Sequence, residues 1–276
     1  MYAQSLERFV NIAKRYIGGG GIQTIVELGA RDCAETLGFH RLISNANIYG
    51  FEPNPATLPI CREAVKPFNN VHLIEKAVAN VNGKVKFYQI DQEKTVTSWV
   101  DGNPGASSLF VSSDKYPVER YVQKEIEVES ITLESFMQIY GVNEIDLLWM
   151  DIQGAELLAL EGLGHKISDV KLIHLEVGFF EIYKNQPLFG EIKTFLNSQG
   201  FLLVGFTSFG IYSGDAAFVN RKLIRNKLQL LRLLIYDISA APWHKIQLRT
   251  NSFLLRIRSK LSKVVHRISE KRRLLQ

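Results

Sequence analysis

The sequence predicts an α/β fold: a mostly parallel, seven-stranded sheet with helices on both faces, followed by a basic helical tail. Three observations carry that prediction. Short apolar runs alternate with stretches of helical pattern from Thr24 to Asn220, as a parallel sheet covered on both faces requires. Several of these runs end on an acid or a glycine, at the carboxyl ends of strands where such sheets place their ligand crevice. The charge also changes sign along the chain: residues 1–220 hold 18 Lys/Arg against 26 Asp/Glu, whereas 221–276 hold 15 against 2. That shift sets a boundary near Asn220, between a 1–220 domain and a 221–276 extension.

Taken in order, residues 1–17 mix apolar positions with Glu7, Arg8, Lys14 and Arg15 and predict a short amphipathic helix, ended by Gly18 to Gly21. Thr24 to Gly29 predicts a buried strand and Cys33 to Ser44 a helix. Asn47 to Pro53 predicts a second strand, stopped by prolines, before a helix from Ala56 to Val65. Val71 to Val78 predicts a third strand, and the alternating Lys84 to Tyr88 a half-exposed one. Asp91 to Val118, rich in Gly, Pro and Ser, predicts a long loop, a length that compact domains reserve for functional segments. Glu125 to Ile131 resumes as strand and leads into a helix over Leu133 to Tyr140. Ile145 to Asp151 predicts the fourth core strand, Gln153-Gly154 a turn, and Ala155 to Glu161 a helix. Lys171 to Val177 predicts the fifth strand and Leu188 to Ser198 a helix. Phe201 to Phe206 and Ala216 to Asn220 then close the sheet as an antiparallel pair.

Composition narrows the function classes. The two cysteines, Cys33 and Cys61, occur without a Cys-x-x-Cys or Cys/His cluster, which excludes a disulfide framework and a structural zinc site and fits a reducing compartment. The N-terminus lacks the uninterrupted apolar run of a signal peptide, and Leu228 to Ile235, broken by Arg232, is too short to span a bilayer. A soluble, cytoplasmic protein is the expectation.

The first turn discriminates among cofactors. A dinucleotide site needs several glycines so that backbone N–H groups can approach a pyrophosphate. Here Gly29 is followed by Ala30-Arg31-Asp32-Cys33-Ala34, and no Gly-Lys-Ser/Thr of a P-loop occurs. S-adenosylmethionine has no phosphate and carries two cationic groups. One glycine beside the carboxylate of Glu27, with Glu52 about 20 residues on for the ribose hydroxyls, suits it, although an NAD site also places an acid there. Gly29, Ala30, Glu27, Glu52, Asn54, Ala77 and Asp151 are thus the candidate cofactor-binding residues, and topology places these strand ends on one rim.

Thr24-Ile25-Val26-Glu27-Leu28-Gly29-Ala30-Arg31-Asp32 resembles the first motif of FkbM-type methyltransferases, and Tyr49-Gly50-Phe51-Glu52-Pro53-Asn54-Pro55 the second. Ile145 to Glu156 is similar to the family's most distinctive segment. Ile173-His174-Leu175-Glu176-Val177, with Gln186-Pro187-Leu188-Phe189 after it, is similar to its late strand and following helix. Four motifs in order, spanning Thr24 to Asn220, imply a Rossmann-like class I methyltransferase fold, S-adenosyl-L-methionine as cofactor, and O-methylation of a carbohydrate or related small metabolite. Glu27, Arg31 and Cys33 depart from the first motif, where Asp, Asn and a second Gly are commoner.

Methyl transfer to a hydroxyl needs positioning and a base. Asp151, at the end of the fourth strand, is the first candidate for contact with the reaction centre; Glu156 and Glu176 are the other catalytic candidates. Glu156 near a helix N-terminus also suits capping, Glu176 also suits holding a loop, and His174 inside an apolar strand reads as a core residue. The three carboxylates together would also suit Mg²⁺, but no spacing is specific for a metal and none is assigned. Asp151-Ile152-Gln153-Gly154 stands where base and amide methyltransferases often carry Asn/Asp-Pro-Pro-Tyr/Phe, which points to oxygen as the target. Ala106 to Phe110 is the candidate acceptor-covering loop.

Beyond Asn220, Leu254, Ile257, Leu261, Val264, Val265 and Ile268 recur at helical steps among basic residues. A basic amphipathic helix suits an anionic membrane surface, a protein partner, packing on the body, or nucleic acid. An RNA-directed methyltransferase or RNA-binding protein is therefore the second reading of function.

Overall fold

The computed structural model describes residues 2–237; the run predicted as a basic helix over 254–268 lies outside them. Helix α1 (Tyr2–Tyr16) buries Leu6, Phe9, Val10 and Ala13 at three- and four-residue steps. There follow β1 (Thr24–Leu28), α2 (Ala34–Leu42), β2 (Asn47–Phe51), α3 (Leu58–Val65), β3 (Val71–Ile74), β4 (Ala77–Val78) and β5 (Gly83–Ile90). After a long excursion come β6 (Gln123–Ile131), α4 (Leu133–Ile139), β7 (Ile145–Met150), α5 (Glu156–Glu161), β8 (Val170–Gly178), α6 (Phe189–Ser198), β9 (Phe201–Phe209) and β10 (Ser213–Asn220). A last helix, α7, covers 227–237.

Seven strands form the main sheet in the order β3-β2-β1-β7-β8-β10-β9. All pairs are parallel except those made by β10, which runs antiparallel to both β8 and β9. The strand order reverses between β1 and β7, the topological switch point where a ligand crevice opens. Alternation along the strands divides the core in two. Val26, Leu148, Met150, Ile173 and Leu175 face α4, α5 and α6. Ile25, Leu147, Trp149, Leu172 and Ala217 face α1, α2 and the inward leucines of α7, Leu230, Leu233 and Leu234. The architecture is the mostly parallel, seven-stranded sheet with helices on both faces that the sequence predicts.

The run from Val71 to Val78 differs from the single strand expected. Lys76 N–H closes back on the Ile74 carbonyl (2.9 Å), and this tight turn ends β3. Ala77 and Val78 then join a second sheet, β4-β6-β5. That small sheet has a positional consequence. Its β5 and β6 form an antiparallel pair, and the segment between them, 91–122, is carried over the carboxyl ends of the main strands. Bridges Tyr88↔Ser108, Val96↔Arg120 and Ser112↔Tyr183 hold the segment down. Among the described residues no helix is long and apolar enough to cross a membrane.

Candidate active site

The first turn is built by close backbone approach. Gly29 and Ala30 both donate to the Phe51 carbonyl (2.9 Å each), while Asp151 N–H donates to the Leu28 carbonyl at 3.0 Å. Gly29 adopts φ +88°, and a Cβ there would lie 2.0 Å from the Asp151 carbonyl oxygen. Glycine is required by the neighbouring strand end itself. Two further residues of the turn are left-handed without being glycine, Arg31 (φ 51°) and Cys33 (φ 61°). Cys33 stands where the motif's second glycine would and takes a conformation that glycine adopts freely; its side chain is buried against Cys61 and Ala30.

Glu52, at the end of β2, ties this turn to its own. Its Oε2 accepts from Arg31 N–H and its Oε1 from Asn54 N–H, both at 2.8 Å. Each oxygen keeps a lone pair for a further donor. Burial pushes its carboxyl up to about 7, against the opposing pull of those two hydrogen bonds. Glu52 lines a narrow groove of ≈ 50 Å³ with Leu28, Gly29, Phe51, Ala77, Phe87 and Ile152.

A wider cleft of ≈ 420 Å³ adjoins the groove, and Gly29, Arg31, Gly105 and Asp151 belong to the walls of both. Its floor is a network around the turn after β7. Gln153 Nε2 donates to Asp151 Oδ1 (2.6 Å) and to Glu176 Oε2 (3.2 Å), and Tyr183 reaches Gln153 Oε1 with its hydroxyl (2.9 Å). The same hydroxyl lies 2.8 Å from the Ala106 carbonyl, joining the 91–122 segment to the floor. Burial first, and then the like charge of Asp215, raises Asp151 to about 6. Glu176 is raised well above the usual carboxylate range by burial and by Asp151 and Asp215. One wall is aromatic, with Trp99, Tyr116, Tyr121 and Tyr183; Tyr121 and Tyr183 stack at 5.9 Å between ring centroids.

The structure brings Gly29, Glu52, Ala77, Asp151, Glu156 and Glu176 to the walls of these two spaces. Three predicted cofactor residues lie elsewhere. Glu27 is one position short of the strand end, points to the α2 face, and accepts from the Thr36 hydroxyl, fully buried. Its Oε1 has no partner among the described residues, and burial holds the carboxyl well above its ordinary value. Ala30 is buried beneath the turn. Asn54 spends its amide inside the protein, donating to the Pro104 carbonyl and Ser107 Oγ and accepting from Ala56 N–H and Gln89 Nε2. It fastens the 91–122 segment to β2.

Glu156 accepts from Ile152 N–H (3.1 Å) and Gly154 N–H (3.3 Å), so it caps the turn before α5 while still facing the cleft. His174 is a core residue: it stacks on Trp149 (3.7 Å, 7°) and its Nε2 meets Thr207 Oγ1 at 2.7 Å. Burial lowers it to about 4. Ala106, Ser107 and Leu109 of the predicted acceptor loop do stand on the walls. Sequence reasoning missed Gln153, read only as a turn residue, and the aromatic wall. Arg31 was read as a motif departure; its guanidinium is bonded to Asp101 (2.7 Å) and lies 4.4 Å above the Trp99 ring. The closeness of Tyr116 and Tyr121 at the end of the loop was the available signal; Tyr183 joins them only through the fold. Among the described residues no three His, Cys, Asp or Glu side chains converge to hold a metal ion.

Residues 28–203 match the Methyltransferase FkbM domain. The chain is 29% identical over 200 residues to the 2-O-methyltransferase NoeI of Sinorhizobium fredii (strain NBRC 101917 / NGR234), covering 72% of this chain and 80% of that protein. It is 23% identical over 189 residues to Methyltransferase 1 of Beauveria bassiana (strain ARSEF 2860), covering 64% and 71% respectively. Among solved structures it is similar to the magnesium protoporphyrin IX methyltransferase of Synechocystis PCC 6803 with bound SAM, at 11% identity, with a TM-score of 0.42 and 79% and 80% of the two chains covered.

Proposed function

We propose a carbohydrate hydroxyl as the methyl acceptor of this chain, which belongs to the FkbM family of methyltransferases. S-adenosylmethionine is the donor, and the residues present fit it. The narrow groove offers apolar side chains for a flat base and a buried acid, Glu52, with lone pairs left for two ribose hydroxyls. The wider cleft offers carboxylates for the cationic end. When bound, the donor supplies a methyl whose carbon–sulfur bond breaks, its electron pair going to sulfur, as the new oxygen–carbon bond forms.

The chain's own contribution centres on Asp151, the carboxylate common to groove and cleft. With its carboxyl raised to about 6, Asp151 is still ionised at neutral pH and basic enough to take the proton of the attacking hydroxyl. Gln153 holds that carboxylate in place from one side. The segment around Ala106, bonded to the Tyr183 hydroxyl, forms one wall beside the reacting groups.

The lining of the wider cleft carries the acceptor reading. Trp99, Tyr116 and Tyr121 line the cleft with rings of the kind that pack on the C–H faces of a sugar, opposite acidic side chains that hydrogen-bond its hydroxyls. The 2-O-methyltransferase activity of the relative supports the same acceptor atom. Charge supports a neutral acceptor over a nucleic acid. Among the described lining residues six are Asp or Glu (Asp32, Glu35, Glu119, Asp151, Glu156 and Glu176), and even with the raised Glu156 and Glu176 protonated the remaining acids outnumber the single cation, Arg31, already bonded to Asp101. Phosphates would be repelled there. Incubation with methyl-labelled donor, a panel of neutral oligosaccharides and total RNA tests the reading. Label in an O-methyl sugar supports it; label in RNA alone, or in neither, contradicts it.

For 221–276 we infer contact with an anionic membrane surface. Leu228, Leu231 and Ile235 form an exposed stripe on α7, 53–59% accessible, flanked by Lys227 and Arg232. Apolar anchors beside basic residues suit a headgroup interface, and 10 Lys/Arg against one Asp/Glu follow the helix in the sequence. Sedimentation with phosphatidylcholine vesicles, with and without phosphatidylserine, decides it: binding only with phosphatidylserine is expected, and equal recovery in both pellets would overturn the inference.

A further inference from the structure

Gln153 is held in a way that a turn alone does not require. Its φ of +55° is a left-handed conformation that a non-glycine residue adopts at a cost. Gly154 follows at φ +97°, so the sharp turn would form as well with a smaller residue ahead of it. The side chain accounts for the glutamine. Its Nε2 sits 2.6 Å from Asp151 Oδ1 and 3.2 Å from Glu176 Oε2, while its Oε1 faces the Tyr183 hydroxyl at 2.9 Å. Ser108 Oγ pins the residue's own carbonyl at 2.7 Å. The opposite amide orientation would set Oε1 against two carboxyl groups and would need a proton on each of them.

We propose that Gln153 is the positioning residue that divides the work of the two carboxyl groups, holding Asp151 as the ionised base and leaving Glu176 as the neutral partner that donates to the acceptor. The proposal rests on the methyl-transfer reading above, in which Asp151 takes the hydroxyl proton. The geometry favours this division in two ways. The shorter amide hydrogen bond goes to Asp151, and a donated hydrogen bond stabilises the charged form. Two acids in one desolvated floor do not both ionise readily, so the better-stabilised one ionises first.

The groups facing the pair come from every element around it. They are Asp215 on β10, paired with Glu176 in the strand register, Glu35 on α2, Glu156 on α5, Arg31 in the β1 turn, and the phenols of Tyr183 and Tyr116. Three of these are carboxylic acids, and none bonds to either oxygen that the amide holds. Burial and Asp215 raise both carboxyl groups, while Arg31 opposes the shift at Asp151 and the Ser213 hydroxyl opposes it at Glu176; the amide bonds to both and sits closer to Asp151.

Carbon-13 carboxyl NMR of the full chain, titrated from pH 4 to 9 without an acceptor, tests the division. Signals are assigned by their loss in Asp151→Asn and Glu176→Gln. In the unaltered protein the Asp151 signal is expected to titrate near pH 6 and the Glu176 signal to remain that of a neutral acid at pH 7. Gln153→Gly removes the amide and suits the left-handed backbone; it should raise the Asp151 midpoint by about half a pH unit or more. Gln153→Asn, one methylene short, should do the same, and serves if the glycine variant unfolds. An Asp151 midpoint unmoved in a folded variant, or Glu176 ionising first in the unaltered protein, would overturn the proposal. Because no acceptor is present, that result would leave the methyl-transfer reading standing, whereas unlabelled sugars in the transfer assay would strike that reading alone.

Discussion

The donor groove and the acceptor cleft meet at Asp151 but are made differently. The groove is narrow, ≈ 50 Å³, and its walls are mostly strand ends: Leu28 of β1, Phe51 of β2, Ala77 and Val78 of β4, with one buried acid in Glu52. The cleft is ≈ 420 Å³, and much of its wall comes from the 91–122 excursion and from residues after β8, including Ile182, Tyr183 and Gln186. Strand ends and the turns after them thus line most of the groove, with Pro104, Gly105, Ser107 and Leu109 of the excursion closing it, whereas the larger cleft takes its aromatic wall from connecting segments. The groove is also set by close backbone approach, the cleft by side-chain chemistry. Substitutions should separate the two accordingly.

The largest effect should come from breaking the seam that both spaces share. Gly29→Ala places a methyl 2.0 Å from the Asp151 carbonyl at a positive φ, and should cost about 3 kcal/mol or more of stability. Urea unfolding measures it; a loss under about 1 kcal/mol would mean that the β1–β7 seam yields more easily than its geometry implies. Next is Asp151→Asn, which should lower turnover by about 10²–10⁴-fold while donor affinity by calorimetry stays within about threefold. Equal losses in both would place Asp151 in the donor site alone.

A pH series sharpens the comparison from the donor side. Glu52 and Glu156 are raised to about 7 and Asp151 to about 6 by burial, so the folded state holds more protons than the unfolded chain from about pH 4.5 to 7. The free protein should therefore lose stability as pH rises through that window. Donor affinity should rise over the same range, as Glu52 ionises and becomes a better acceptor for ribose hydroxyls. Thermal melts with and without S-adenosylhomocysteine check both trends; a melting point that climbs from pH 5 to 7.5 would contradict the first. The smallest effect belongs to the cleft wall. Trp99→Ala removes a partly exposed ring and should raise the acceptor KM several-fold, about 0.5–1.5 kcal/mol, with no change in donor affinity.

The same contrast separates what could be read from the sequence. The sheet, its antiparallel last pair and most strand-end residues of the rim followed from apolar periodicity and topology, because strands place their ends in one plane whatever the side chains are. Glu27 was misplaced by a single position: period-two alternation sends the penultimate residue of β1 to the α2 face, where Thr36 bonds it. Asn54 was misassigned because Gln89 and Ser107, 35 and 53 residues away, use up its amide. The floor network escaped for the same reason. Gln153, Tyr183 and Ala106 meet only through the fold, and nothing local in the sequence marks a glutamine in a turn as the bridge between two acids.

The central claim is that Glu52 holds the donor at the end of β2, beside an acceptor cleft that meets it at Asp151. Calorimetric titration of S-adenosylhomocysteine into the full chain and into Glu52→Ala tests it most directly. One site per chain is predicted, with affinity about tenfold or more lower in the variant, the loss of two charge-assisted hydrogen bonds. Binding of equal strength in a folded Glu52→Ala protein, or no binding to the unaltered chain, would contradict the account.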